Sequence, residues 1–284
     1  MSMLPELAGR LEDLDFLDSF AKPLAKLTSR AVRPRPVRNF LSGTYLGHPL
    51  HPPLTDLPIG AWAMSGLMDT LGGGEGAASA SDLLIAAGII TAVPTALAGL
   101  NDWSDTYGGA TRVGLVHAAA NTTALILYTS SLAARRAGRR RLGRALGKTG
   151  LAAVLLGGYL GGHLTFAKGV NVNHTAFEHG PRNWTPVLND VELVEGAQRR
   201  VFAGDVPVVV CREAGQIYAL AATCTHAGGP LDEGKVSDGC IVCPWHGSTF
   251  RLSDGRIGRG PASAAQPSYA TRVRDGQIEV RASR

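Results

Sequence analysis

Cysteine is scarce, four in 284 residues, which excludes a disulfide-stapled secreted scaffold. Charge is scarce too, at 18% beside a hydrophobic share of 45%, and that balance argues against disorder over most of the chain. The 36 glycines follow no three-residue period, so a collagen-like chain is excluded. From Leu83 to Leu100, from Val113 to Ala134 and from Thr149 to Ala167 there is no Asp, Glu, Lys or Arg at all. Each run has at least the roughly 18 residues a helix needs to cross the hydrocarbon core. A fourth run, Leu50 to Leu71, is apolar except for Asp56 and Asp69. Beyond about Asn183 the pattern becomes short Val/Ile-rich stretches broken by Gly, Pro and Asp, the pattern of a small β domain.

This predicts an α-helical transmembrane four-helix bundle at 48–170, a linker at 171–184 and an all-β domain at 185–284. Residues 1–47 read as a tail, either amphipathic on the membrane surface or simply solvated. No cleavable signal peptide is expected there. Pro52 and Pro53 suit the first turn of span one, and Pro94 marks a kink in span two. In span four, Gly157/Gly161 and Gly158/Gly162 give the small-xxx-small spacing of close helix packing.

The net charge of +5 raises the question of nucleic acid. Most of the excess lies in Arg135, Arg136, Arg139, Arg140, Arg141, Arg144 and Lys148, between spans three and four. That position favours a cytoplasmic topology signal over a nucleic-acid patch, and lipid is the expected partner. With four spans the C-terminal domain then lies outside the cytoplasm. Arg30, Arg33, Arg35 and Arg38 pull the other way, so the side stays open.

The chemistry is carried by Cys224-Thr225-His226 and, after sixteen intervening residues, Cys243-Pro244-Trp245-His246. Two short loops each offer one thiolate and one imidazole. A mixed Cys2His2 set can hold zinc or a two-iron cluster. Zinc fingers pair cysteine with cysteine and histidine with histidine, a spacing absent here. Two imidazoles replacing two thiolates on one iron is the ligation of a Rieske [2Fe–2S] centre.

The segment Cys224-Thr225-His226-Ala227-Gly228-Gly229-Pro230-Leu231 resembles the first cluster loop of the Rieske family, and Cys243-Pro244-Trp245-His246-Gly247-Ser248-Thr249-Phe250 the second. Gly260-Pro261-Ala262 resembles that family's proline loop, and the likeness runs over residues 185–282. It implies Cys224 and Cys243 on an inner iron, and His226 and His246 on an outer one. Ser248 and Pro261 would stand behind them, Ser248 as a hydrogen-bond donor to sulfur. High-potential members carry an extra cysteine in each loop, joined as a disulfide. Here Gly228 and Pro244 or their neighbours hold those places, so the domain is expected nearer the Rieske ferredoxins. Cys211, in an expected strand 206–211, and Cys240 read as free buried thiols. The further large domain of an oxygenase catalytic subunit does not fit the length.

Residues 40–170 resemble the bacterial family called domain of unknown function 2231, through His48-Pro49-Leu50-His51-Pro52, Asp56-Leu57-Pro58-Ile59-Gly60, Asp69, Gly99-Leu100-Asn101-Asp102-Trp103, His117 and Gly161-Gly162-His163. Up-down order brings His48, His51, His117 and His163 to one membrane face. Intramembrane histidines fit a haem b, a quinone pocket, a metal site, or plain bonds to backbone and headgroups. His117 and His163 are the best haem pair, with His51 and His48 next. The expected function is one-electron transfer between membrane or soluble partners, a redox protein or a quinone among them. A redox sensor and the ferredoxin component of an oxygenase system are the rivals.

Overall fold

A computed structural model describes residues 3–282. It separates into two compact units, Met1–Arg33 with Leu50–Val170, and Pro34–Pro49 with Asn171–Arg284. The N-terminal stretch and the linker are therefore not accessories. Residues 34–49 and 171–184 fold with the β domain.

In the first unit, helices α1 (Met3–Glu12) and α2 (Asp18–Ala31) precede four long ones. These are α4 (His51–Leu71), α5 (Gly74–Trp103), α6 (Gly109–Arg136) and α7 (Arg140–Gly162), while α3 (Arg35–Ser42) belongs to the second unit. The four long helices match the four apolar runs, and α5 continues through Pro94 as one helix. Helix α4 packs on α5 and α7, and α6 packs on α5 and α7. Among the described helices, Gly74–Trp103 and Arg140–Ala167 are long and apolar enough to cross a membrane; α4 and α6 carry more polar residues.

Glycine lets these helices approach. A Cβ at Gly88 would meet the Trp62 indole at 2.2 Å, and one at Gly150 would meet the Tyr128 ring at 2.9 Å. The two rings stack with centroids 4.4 Å apart. Buried among the helices are Ser65, Ser81, Thr95, Asn101 and Ser131, while Leu83 and Ile90 are each 71% exposed. Arg135 is not part of a free basic loop. It ends α6 buried, bonding Asp69, Ser81 (3.0 Å), Asp82 (3.1 Å) and Ser131 (3.1 Å). Arg140 reaches Asp82 at 2.7 Å. A buried guanidinium needs paired carboxylates, and Asp69 and Asp82 supply them. Helices α1 and α2 pack on this unit through Arg112, which bonds Asp18 (2.8 Å) and the Glu12 carbonyl (2.7 Å).

The second unit holds two antiparallel sheets. The strands are β1 (Thr185–Asn189), β2 (Gln198–Ala203), β3 (Val206–Glu213), β4 (Gln216–Ala221), β5 (Lys235–Ser237), β6 (Cys240–Val242), β7 (Thr249–Arg251), β8 (Ile257–Arg259), β9 (Ser268–Arg274) and β10 (Gln277–Ala282). The larger sheet has the order β1-β10-β9-β4-β3-β2 and the smaller β5-β6-β7-β8. One core gathers Val209, Cys211, Leu220, Ile241, Phe250 and Leu252 with Cys224 and Cys243. The cysteines thus belong to the same apolar core that joins the sheets.

Candidate metal centre

Both candidate loops leave the ends of paired strands. The first follows β4 and the second joins β6 to β7. They close alike. The Gly228 N–H donates to the Cys224 carbonyl (2.9 Å) and the Gly247 N–H to the Cys243 carbonyl (3.1 Å). Each ring ends on a glycine with positive φ, 75° at Gly228 and 72° at Gly247, a conformation costly for any residue with a Cβ. Cys224 N–H then donates to Gly229 O, and Cys243 N–H to Ser248 O, each at 2.8 Å. One tight turn, made twice, presents one cysteine and one histidine each time.

The structure brings all four side chains together. Cys224 and Cys243 are 1% and 3% exposed, and their thiols are hydrogen-bonded to each other. That bond, with the backbone N–H groups of Trp245 and His246, holds the Cys243 thiol below its ordinary value. Sharing its proton pushes Cys224 up. The His226 and His246 rings are 5.0 Å apart, edge to face, and half-buried. Burial, together with the fields of His246, Arg38 and His174, lowers His226 to about 3. It is therefore neutral, the form in which imidazole binds a metal.

Ser248 is fully buried, but its hydroxyl accepts the Ala262 N–H at 3.0 Å. Pro261 follows a cis peptide bond in the loop between β8 and β9. That loop and the end of β8 brace both others. Thr225 Oγ1 donates to the Ala264 carbonyl (2.9 Å), and Arg259 donates to the Gly247 carbonyl (3.2 Å). Gln266, 2% exposed, accepts the Thr225 N–H (3.1 Å) and donates to the carbonyls of Ala221 (2.8 Å) and Thr223 (2.6 Å). At Gly229 the first loop meets the second, since a Cβ there would stand 2.9 Å from Cys243 Sγ.

Two family models match. The Rieske [2Fe-2S] domain model matches residues 183–270, and that of a predicted membrane protein family, DUF2231, matches 47–174. The anthranilate 1,2-dioxygenase ferredoxin subunit of Burkholderia cepacia is 32% identical over 97 residues, 34% of this chain and 90% of the relative. The chain belongs to the Rieske [2Fe–2S] family. The cytochrome b6-f complex iron-sulfur subunit of Chlorobaculum tepidum is 34% identical over 76 residues, 27% of this chain and 41% of that one. Apoptosis-inducing factor 3 of Mus musculus is 31% identical over 93 residues, 33% of this chain, and only 15% of its length is spanned.

Two facing thiols and two facing imidazoles, drawn in pairs from two loops, fit the Rieske cluster. Thiolate and neutral imidazole are the donors it takes. Of the two cysteines outside the loops, Cys211 is buried as expected, whereas Cys240 is only half-buried.

Four residues near this Rieske centre carry no sequence signal. Besides Gln266 and Arg259 they are Arg38 and His174. Helix α3 bonds the β8 end, with Arg35 donating to Gly258 O (2.8 Å) and Asn39 accepting the Gly260 N–H (2.9 Å). It carries Arg38, 4% exposed, whose charge acts on His226. The His174 N–H donates to Thr225 O at 3.1 Å.

The expected pairing of His117 with His163 is not formed. His163 Nε2 lies 3.0 Å from a Glu12 carboxylate oxygen, and Glu12 also takes Lys168 at 2.6 Å. Gly161 is the residue of α7 that faces His117. His163 is two residues on, about 200° further round a helix, and so points away. His48 is exposed, with Nδ1 against its neighbour's carbonyl, and belongs to the β unit. His117 meets His51 instead.

Proposed function

We propose that the protein is a membrane-tethered Rieske electron carrier, passing one electron at a time between a donor and an acceptor. The observation that carries this is the polarity of the donor set. Cys224 and Cys243 lie in the apolar core, whereas His226 and His246 are the half-exposed end. Cys224 and Cys243 would hold the inner iron, and His226 and His246 the outer one. An electron leaving through the imidazoles crosses the least protein. Without a loop disulfide the potential belongs in the lower half of the family range of about −150 to +300 mV.

Helices α4 to α7 are read as four spans. Large apolar side chains such as Leu83, Ile90 and Leu155 face outward, while glycine and hydroxyl side chains are buried. An apolar outer surface over helices seated on small residues suits lipid. A tether raises the effective concentration of the cluster at a membrane partner, whether a protein or a quinone. A second reading, the ferredoxin component of an oxygenase system, is favoured by the likeness to the anthranilate dioxygenase ferredoxin subunit.

The test uses the full chain in detergent. Two irons, two labile sulfides and a Rieske-type EPR signal are expected, lost in Cys224→Ser and His246→Ala. Zinc without sulfide would sink the centre. A cluster that is reduced reversibly but passes no electron to a cytochrome, quinone or oxygenase component would make the protein a sensor. Reporter fusions at Gly138 and Arg284 should report opposite sides of the membrane.

A further inference from the structure

The helical unit holds two histidines with no part in the Rieske centre. His51 opens α4 and His117 lies in the N-terminal part of α6. Their ring centroids are 6.4 Å apart and their planes stand at 84°. His51 Nδ1 is 3.0 Å from the Thr95 carbonyl oxygen on α5, and His117 Nδ1 is 2.8 Å from the Gly157 carbonyl oxygen on α7. A carbonyl can only accept, so each Nδ1 carries the proton and each Nε2 keeps its lone pair. Histidines that bind metal are held in this way, with the other ring N–H given to a backbone carbonyl or carboxylate.

The neighbours leave those lone pairs open. Asn121 Nδ2 is 3.4 Å from His117 Nδ1 and 3.2 Å from Nε2. A donor in the ring plane at Nε2 would lie much farther from Nδ1, so the amide sits over the ring face. Packing fixes both rings as well. A Cβ at Gly99 would stand 2.7 Å from His51 Cε1, and one at Gly161 would stand 3.1 Å from His117 Cε1. Two helices carry the rings, and the other two each supply one carbonyl and one glycine to seat them.

The spacing selects the ligand. A metal about 2 Å from each ring nitrogen lies about 3 Å from each centroid, so two imidazoles on opposite sides of one metal stand about 6 Å apart. Among the described residues no group of three His, Cys, Asp or Glu is placed to hold a metal. A bare ion would therefore find two protein ligands, too few for zinc or calcium. We propose that His51 and His117 are the two axial ligands of a haem b, whose porphyrin supplies the remaining four nitrogens. A site between facing helices is where bundles build cofactor sites.

The test is spectroscopic and independent of the Rieske centre. Full-length protein from haem-replete cells, in detergent, is expected to contain one haem per chain with a low-spin, six-coordinate spectrum. Haem-free protein titrated with hemin should saturate at the same ratio. His51→Ala and His117→Ala should each lose the six-coordinate Soret band at least tenfold. His163→Ala and His48→Ala should keep it. Free imidazole should restore the low-spin spectrum of His117→Ala, which an unfolded bundle would not allow. The Rieske EPR signal should persist in every variant. Absence of haem together with no saturable hemin binding overturns the proposal. So does a low-spin haem retained in both alanine variants, or stoichiometric zinc at this pair.

Discussion

Gln266 lies forty-one residues beyond Thr225 and yet holds the first cluster loop. Gln266→Leu preserves roughly the volume of the side chain and removes three hydrogen bonds at once. The Thr225 N–H and the carbonyls of Ala221 and Thr223 lose their partner in a place where Gln266 itself is 2% exposed. A buried polar group left without its partner costs about 1–3 kcal/mol. Carbonyls have two lone pairs and tolerate loss better, so the sum is about 3–5 kcal/mol. Domains are stable by only about 5–15 kcal/mol. At about 4–8 °C per kcal/mol for a domain near 100 residues, the transition falls by at least about 12 °C. Thr225 stands between two ligand residues, so the loss should appear as earlier cluster bleaching. Visible circular dichroism at one fixed scan rate reads it, with the urea midpoint as a second measure. Gln266→Glu keeps an acceptor for the Thr225 N–H but sets a carboxylate against two carbonyls, and it should rescue little. A shift below about 5 °C, equivalent to about 1 kcal/mol, would refute the brace.

Three further outcomes are expected. Arg38→Gln removes a positive charge whose field reaches His226, and a cation favours the reduced cluster. Its midpoint should fall by on the order of 50 mV, about 1 kcal/mol for one electron, and an unchanged or higher potential by redox titration counts against it. Arg135→Ala takes the bonded guanidinium from buried Asp69, while Asp82 keeps Arg140, and loss of one partner of a buried pair costs about 3–5 kcal/mol. Thermal unfolding in detergent should show a lower helical transition with the cluster transition unmoved. Burial pushes the Cys211 thiol up to about 12, so iodoacetamide at pH 9 should leave it unlabelled in the native protein. It should react only after denaturation, and mass spectrometry of native protein showing modified Cys211 would contradict that.

The ligands of the centre are legible in sequence because the chemistry is local. Each loop carries its cysteine, its histidine and its turn glycine within five residues, at Cys224–Gly228 and Cys243–Gly247. Hydropathy likewise marks the four long helices, since a run of uncharged residues acts through composition alone. What holds these pieces in place is not local. Thr225 meets Gln266 and Ala264, and Gly260 meets Asn39, across separations of 41, 39 and 221 residues. No periodicity marks such partners, because a single hydrogen bond leaves no repeat in the chain. The same holds for His51. Which histidine faces His117 depends on how α4, α6 and α7 are rotated about their axes. A two-residue offset on one helix sends His163 to Glu12 and leaves His51 opposite His117. Residues 34–49 read as part of a tail because their helix has no apolar run. Only the folded β unit, with open carbonyl and amide groups at Gly258 and Gly260, supplies the surface that α3 binds.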